Sequence, residues 1–484
     1  MNKSNIIKRQ LHFGCEYGHK RLSMVNTRIL ISRILLFSLT STLFLVSPTN
    51  SADAEVSEIQ LSLAKSIKIA LSNTSSAKKA ENNLQLQGAD VMKSYGSFLP
   101  QLSATAGYTP YALNRSYSLL TNPATINKTT SQSVDLTVTS TINLFNGFRD
   151  NASLQSALKR EHAAEYTLSR ALESVIYDIT QTWYQVLLDR ELLEISQENL
   201  LSVEDQLKLV ERQFQVGLKS ITDLYQQQAE VEQSRLTVMK AQTRMERTRL
   251  ELVRRLRIDP LTKISLETDS LALKIPPAVK FDREDLVTRA LDQRSDLKSK
   301  AMESNAAQWQ VKASRASRYP SVDLALSVSS KGVEYLNPEY AYPPLSEQIG
   351  NTVGYSARLN LNWAIFDGFQ TRYAIESAKI NQLNQQLDYE DLKKSIVIDL
   401  YQAAGDYASA YTQIETAQAG FTAARSAFNA VNRKYELGAA SFVELSAARA
   451  TLFNARSNLS QATYNLALQK SVLDFTTGNV AQPQ

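Results

Sequence analysis

Cysteine and histidine are nearly missing from this chain of 484 residues. The one cysteine, Cys15, lies within 1–54 together with His12 and His19, so the remainder keeps a single histidine, His162. No internal disulfide can form, and metal centres built from His and Cys are excluded. No Walker loop, glycine-rich dinucleotide turn, zinc spacing or nucleophile elbow occurs either. The chain is therefore read as no enzyme, with no cofactor and no metal. A field of one charge sign is missing as well. The formal charge of +5 comes from the N-terminal stretch, and the chain after position 54 holds 46 basic and 46 acidic side chains. No nucleic-acid partner is expected from such a balance.

The charged N-terminus has the layout of a secretory signal. A basic segment precedes an apolar run from Ile29 to Val46, interrupted by Arg33, and Ala52-Asp53-Ala54 offers a cleavage site. Residues 1–54 are read as the signal peptide, with Met24 as a possible true start. The alternative is an uncleaved anchor. A mature chain starting at Glu55 has no N-terminal cysteine for lipid attachment.

What the chain does have is an internal duplication. Leu144-Phe145-Asn146-Gly147-Phe148 recurs as Ile365-Phe366-Asp367-Gly368-Phe369. At the same offset, Phe214-Gln215-Val216-Gly217 recurs as Tyr435-Glu436-Leu437-Gly438. The repeats are drawn as 55–275 and 276–484. Each holds two segments of alternating polarity, 101–111 with 131–145 and 321–330 with 351–366, which read as strands with one apolar face. About ten residues suffice for a tilted strand to cross a bilayer. Polar stretches at 114–130 and 331–350 are read as loops.

Glycine and proline are absent from Arg149 to Val216. That length makes roughly 100 Å of helix. Long helices are placed at 149–216, 220–258, 370–437 and 442–477. Leu193, Leu200, Leu207 and Phe214 recur every seventh residue, as do Leu445, Leu452, Leu459, Leu466 and Leu473. A strict seven-residue apolar repeat means helices packed along their length. By itself this is compatible with a coiled-coil rod, a structural protein or a periplasmic adaptor. Four strands of bilayer length argue against a rod. They cannot close a barrel alone, and an open edge in lipid leaves backbone groups unsatisfied.

From Leu61 to Gly478 the chain resembles the TolC-like outer-membrane efflux proteins. The resemblance rests on Ala70-Leu71-Ser72-Asn73 and Ala290-Leu291-Asp292-Gln293 opening the repeats, on Pro100 and Pro320 before the first strands, on Asn-Gly-Phe and Asp-Gly-Phe after the second strands, and on the turns at Gly217 and Gly438. It implies a mixed α and β membrane protein. Three copies would each give four strands to a twelve-stranded outer-membrane β-barrel, continuous with a periplasmic α-helical barrel. The segment from Asp259-Pro260 to Pro276-Pro277, with a short helix near Phe281–Arg294, resembles the family's equatorial belt. Implied partners are outer-membrane lipid, a periplasmic adaptor (membrane fusion) protein, and an inner-membrane transporter, ABC-type or proton-driven. The implied function is passive export for type I secretion or small-molecule efflux.

The two helical turns run in parallel. Gly217 and Gly438 suit left-handed helix ends. Ser220 with Asp223, and Ser441 with Glu444, each fit a capping box opening the next helix. That reading needs no function. The resemblance adds one: Glu444, Asp223 and Tyr435 match positions at the family's narrow periplasmic aperture, where acids from several copies form an anionic ring. Well-known members pair the first-turn acid with an arginine of the second turn, and here that position is Ala440. A substitute lock would come from Lys219 or Arg433. Arg254-Arg255-Leu256-Arg257 is read as a solvated face, and His162 is given no role.

Overall fold

The computed structural model describes residues 59–118, 125–260, 264–267, 282–336 and 343–480. The expected signal at 1–54 lies outside the described residues. In chain order the first elements are β1 (Ile59–Leu61), α1 (Leu63–Asn73), α2 (Ser75–Gly96), β2 (Gln101–Ser118), β3 (Thr125–Phe145), α3 (Arg149–Gln215) and α4 (Ile221–Leu256). Then follow β4 (Ile264–Leu266), α5 (Arg283–Gln293), α6 (Ser295–Arg315), β5 (Ser321–Tyr335), α7 (Leu345–Asn351), β6 (Val353–Asn362), α8 (Gln370–Glu436) and α9 (Phe442–Thr477).

β2, β3, β5 and β6 form one antiparallel sheet in that order. The register lines up the apolar positions on one face. Ala104 lies beside Val138, Val138 beside Val328, and Val328 beside Tyr355. The opposite face is polar: Lys331 Nζ stands 3.5 Å from the Asp135 carboxylate, and the Ser327 and Ser356 hydroxyls are 2.7 Å apart. Both faces are solvent-exposed over most of β2 and β6. No helix among the described residues is long and apolar enough to cross a membrane.

The strand limits differ from those read in the sequence. Most of 114–130, expected as a loop, is paired backbone: Leu113 to Ser118 run opposite Thr130 to Thr125. A register shift between Thr109 and Ala112 accommodates Pro110, which lacks an N–H to donate. Beyond Ser131 the third strand is gone, so this ribbon has no buried face to impose alternation. In 331–350 likewise, β5 runs on to Tyr335 and α7 occupies Leu345–Asn351. At 351–366 the strand ends early, at Asn362, and Trp363 instead donates from its indole to the Arg318 carbonyl at 3.3 Å.

Strand turns into helix through two consecutive left-handed residues. Gly147 and Phe148 have φ of 67° and 64°, and Gly368 and Phe369 have 63° and 69°. Each phenylalanine packs edge-on against the aromatic three residues earlier, Phe145 and Phe366, with centroids 5.4 and 5.6 Å apart. Side-chain oxygens of Asn146 and Asp367 then accept from the backbone N–H of Asp150 and Thr371, at 3.4 and 2.8 Å. These bonds satisfy donors that a helix start leaves orphaned.

α3 and α8 each run 67 residues, and α4 and α9 each run 36. Near the sheet the helices lie in the row α2–α3–α6–α8; towards the turns the row is α4–α3–α9–α8. The main apolar clusters sit where the tiers meet. One joins α1, α3 and the end of α4 around Ile179, Trp183 and Leu252. The other joins α5, α8 and α9 around Ile396, Leu400 and Leu466. Next to the first, β1 pairs in parallel with β4, a contact too short to be seen in the sequence.

A buried ion cluster fastens this level. Arg294 grips Asp296 with two bonds, 3.0 and 2.7 Å, and Arg170 Nε adds a contact at 3.5 Å. The same guanidiniums donate to the Thr476 and Phe475 carbonyls at the end of α9, where a cation is favoured. Burial pushes the Asp296 carboxyl up, but the Arg294 bonds and the Arg170 charge outweigh it and hold its pKa below the usual value.

Asp296→Asn leaves Arg294 buried without its charge partner, and a loss of about 3–5 kcal/mol is expected. Because folding lowers this carboxyl's pKa, its contribution is complete above the ordinary aspartate range and fades as pH falls through the folded-state value. Urea midpoints measured down an acid series should fall for the wild type and change less for the variant. A second comparison concerns the strand–helix turns. A Cβ on Gly147 would lie 2.6 Å from the Ala316 carbonyl oxygen, whereas one on Gly368 meets nothing within 4 Å. Both alanine variants should carry about 1–2 kcal/mol for the left-handed backbone. Gly147→Ala should unfold at the lower urea concentration, and the reverse order would contradict the packing described.

Candidate functional site at the paired helical turns

The two turns share one hydrogen-bond plan. Gly217, φ 76°, donates to the Phe214 carbonyl at 2.9 Å, and Leu218 donates to Gln213 at 2.8 Å. Gly438, φ 73°, donates to Tyr435 at 3.0 Å, and Ala439 to Lys434 at 2.7 Å. This 6→1 and 5→2 pairing closes the helix end and needs a residue at ease in the left-handed region. The next helix then starts on a serine. Ser220 Oγ accepts from the Asp223 N–H at 3.1 Å while Ser220 N–H donates to the Asp223 carboxylate at 3.1 Å. Ser441 and Glu444 repeat this at 3.2 and 2.7 Å.

Each acid is thus held at a helix N-terminus. The Ser441 N–H, then its hydroxyl, draws the Glu444 pKa below the usual glutamate range. The carboxylate is exposed at the extremity of the helical part, flanked by exposed Leu437 and Val443. Around Asp223 the neighbours are exposed Val216, Leu218 and Ile221.

Tyr435 is not on that surface. It is 3% exposed, its hydroxyl has no hydrogen-bond partner, and the Lys219 ammonium lies 4.0 Å from its ring centroid. A cation over an aromatic face is attracted by the ring quadrupole. Lys219 of the first turn therefore reaches across to the last turn of α8, while Ala440 offers no charge. Arg433 is exposed. Arg254 and Arg255 pair with Glu251, and Arg255 also with Asp178, so that cluster is an ion-paired surface.

Three polar groups escaped the sequence reading. Gln227 is fully buried in the α3–α4 seam and donates to the Val203 carbonyl at 3.0 Å. It sits three residues after Leu224 of the heptad row, so an amide inside the seam was there to be read. Arg449 is 5% exposed, with Nε and Nη1 lacking acceptors. Burial draws its pKa down, and the charge of the third group, Glu230 on α4, opposes that shift without cancelling it. Nothing in heptad spacing marks Arg449, because it flanks the seam position held by Ala448.

A family model described as outer membrane efflux protein matches residues 66–256 and 286–479, which take in both turns. Protein CyaE of Bordetella pertussis is 25% identical over 398 residues, 82% of this chain and 79% of that protein. Outer membrane protein TolC of Vibrio cholerae is 22% identical over 398 residues, 81% of this chain and 85% of that protein. The fold is similar to that of the Campylobacter jejuni CmeC outer membrane channel, with a TM-score of 0.71 at 18% identity over 87% of this chain and 86% of that one. The chain belongs to the outer membrane efflux protein family, as an outer-membrane channel protein of efflux or type I secretion that extends into the periplasm.

Proposed function

We propose that three copies of this chain close one duct, with four strands each in a twelve-stranded barrel and the long helices forming a periplasmic tube. The observation that carries this reading is the four-stranded sheet with both edges, β2 and β6, open. Its apolar row faces outward to lipid, and the lipid leaves edge N–H and C=O groups only one source of partners, another copy's edge. The helical rows support the same closure. One end exposes Met92 and Tyr95 on α2, and the other exposes Tyr373, Ile380 and Leu387 on α8. Within the subunit α6 lies against α3. A neighbour's α2, the counterpart of α6 in the other repeat, would lie against α8 in the same way.

The turns then form the narrow periplasmic mouth. Glu444 and Asp223 from each copy make rings of negative charge that favour cations. Lys219 on Tyr435 acts as the clasp between hairpins where the family's arginine is replaced by Ala440. Exposed Val216, Leu218, Leu437 and Val443 are the surface offered to the periplasmic adaptor, which links the duct to an inner-membrane transporter. The transporter, ABC-type or proton-driven, supplies the energy and selects the cargo.

Replacing Leu359 by arginine puts a charge on the lipid-facing row at a cost of about 2–4 kcal/mol near mid-bilayer. Asn360→Arg, one residue on, faces the polar side and should be tolerated. Outer-membrane pellets should lose the first variant and keep the second; equal recovery of both would sink the face assignment. At the mouth, Glu444→Gln keeps a side chain that a capping box accepts and removes the charge. Single-channel recording should show weaker cation selectivity and weaker block by divalent ions. In the wild type, selectivity should be lost as acid protonates the ring, the Ser441 bonds drawing that loss towards lower pH and repulsion within the ring towards higher pH. Conductance unchanged in both respects would leave Glu444 as a helix cap alone.

A further inference from the structure

A cleft of about 500 Å³ opens between α3 and the α8–α9 hairpin, in the half nearer the turns. Arg425, Arg449 and Arg456 line it against a single acid, Glu198. Glu198 is already engaged, since it pairs with Arg456. Arg425 is exposed and makes no ion pair among the described residues. Arg449 is the unusual member. It is buried, and two of its donors meet no acceptor. Even counting Glu230, whose charge reaches Arg449, the surroundings keep one excess positive charge.

The first hairpin shows how this excess arises. There Arg235 pairs with Glu204 at 3.4 Å and Glu232 at 2.7 Å. In the second repeat the equivalents of Arg235, Glu204 and Glu232 are Arg456, Arg425 and Phe453. Where the first hairpin has two acids around an arginine, the second has an arginine and a phenylalanine. Phe421 and Phe428, at the positions of Leu200 and Leu207, complete an aromatic lining with Phe453.

A buried guanidinium without an acceptor is costly, and the cost is removed by an anion that brings its own oxygens. The lining asks for an apolar body attached to that anion. The volume is that of a small-molecule pocket rather than of a helix groove. We propose that this cleft binds a small organic carboxylate, with Arg449 and Arg425 holding the carboxylate oxygens and Phe421, Phe428 and Phe453 enclosing the apolar body. Arg449 follows Glu444 by five residues on α9, so the cleft adjoins the second turn, but its arginines and phenylalanines are distinct from the acids read there as the gate.

The test uses the full protein in detergent, with 4-iodobenzoate as the carboxylate probe and neutral 4-iodobenzamide as its control. Calorimetry should show saturable binding of the benzoate, one per chain, and none of the amide. Crystals soaked in the probe should place iodine among the three phenylalanines by its anomalous signal. Arg425→Gln removes an exposed side chain with no structural partner, so its fold is safe; it should weaken binding by about ten-fold or more. Arg449→Met, which keeps the length of the stem, should abolish binding. Absence of saturable binding in the wild type would overturn the proposal, as it would if an acid of a neighbouring copy already filled the cleft. Equal binding of the amide, or unchanged affinity in Arg425→Gln, would overturn it as well.

Discussion

Backbone hydrogen bonding in the absence of water is the constraint on which the rest of this molecule depends. Four strands leave two rows of amide and carbonyl groups open, on β2 and β6. In water such edges are a nuisance that proteins blunt with charge or proline. In hydrocarbon each unsatisfied group costs several kcal/mol, and no side chain can relieve a whole row. The sequence does little to blunt either edge within the apolar band: Pro110 lies beyond it, and β6 carries Leu359 and Leu361 between polar residues. Edges left usable are edges free to pair, and this supports the proposed closure between copies more directly than the helices do.

Once the sheet is fixed in the membrane, the helices have to leave it in one direction. The Gly-Phe pairs at 147–148 and 368–369 do this with two left-handed residues immediately before each long helix. At the far end the turns are similarly closed, with a glycine ending one helix and a serine opening the next, each bonding backbone groups that a helix terminus leaves orphaned. Hydrogen bonds thus fix both ends of α3 and α8, which each run roughly 100 Å.

Much of this was legible in the sequence because the cues are local. Absence of Gly and Pro bounded α3 at 149–216, one residue beyond its observed end at Gln215. The Ser-x-x-acid signatures named the residues that form the capping boxes. The apolar alternation marked positions that the register aligns on one face of the four-stranded sheet. It failed above Ser131, where β2 and β3 continue as a ribbon exposed on both sides and nothing selects for alternation. The β1–β4 pair escaped for a different reason. Strands this short carry no period, and the two lie at opposite ends of the first repeat. Tyr435 was assigned to the aperture from a family position, but which way a side chain points depends on Lys219 and on packing that spacing cannot report.

The two repeats differ at equivalent positions in charge more than in architecture. Helix lengths and turn hydrogen bonds agree between the halves. The charges do not agree. Glu204 and Glu232 correspond to Arg425 and Phe453, Lys219 to Ala440, and Gln228 to Arg449. Each of these pairs lies within the stretch of the hairpins nearest the turns. Exchanging a paired acid for an arginine costs stability in a solvated helix, since it turns an attraction into a repulsion. The unequal charge falls on the second hairpin, where the buried Arg449 and the exposed Glu444 lie on one helix, α9.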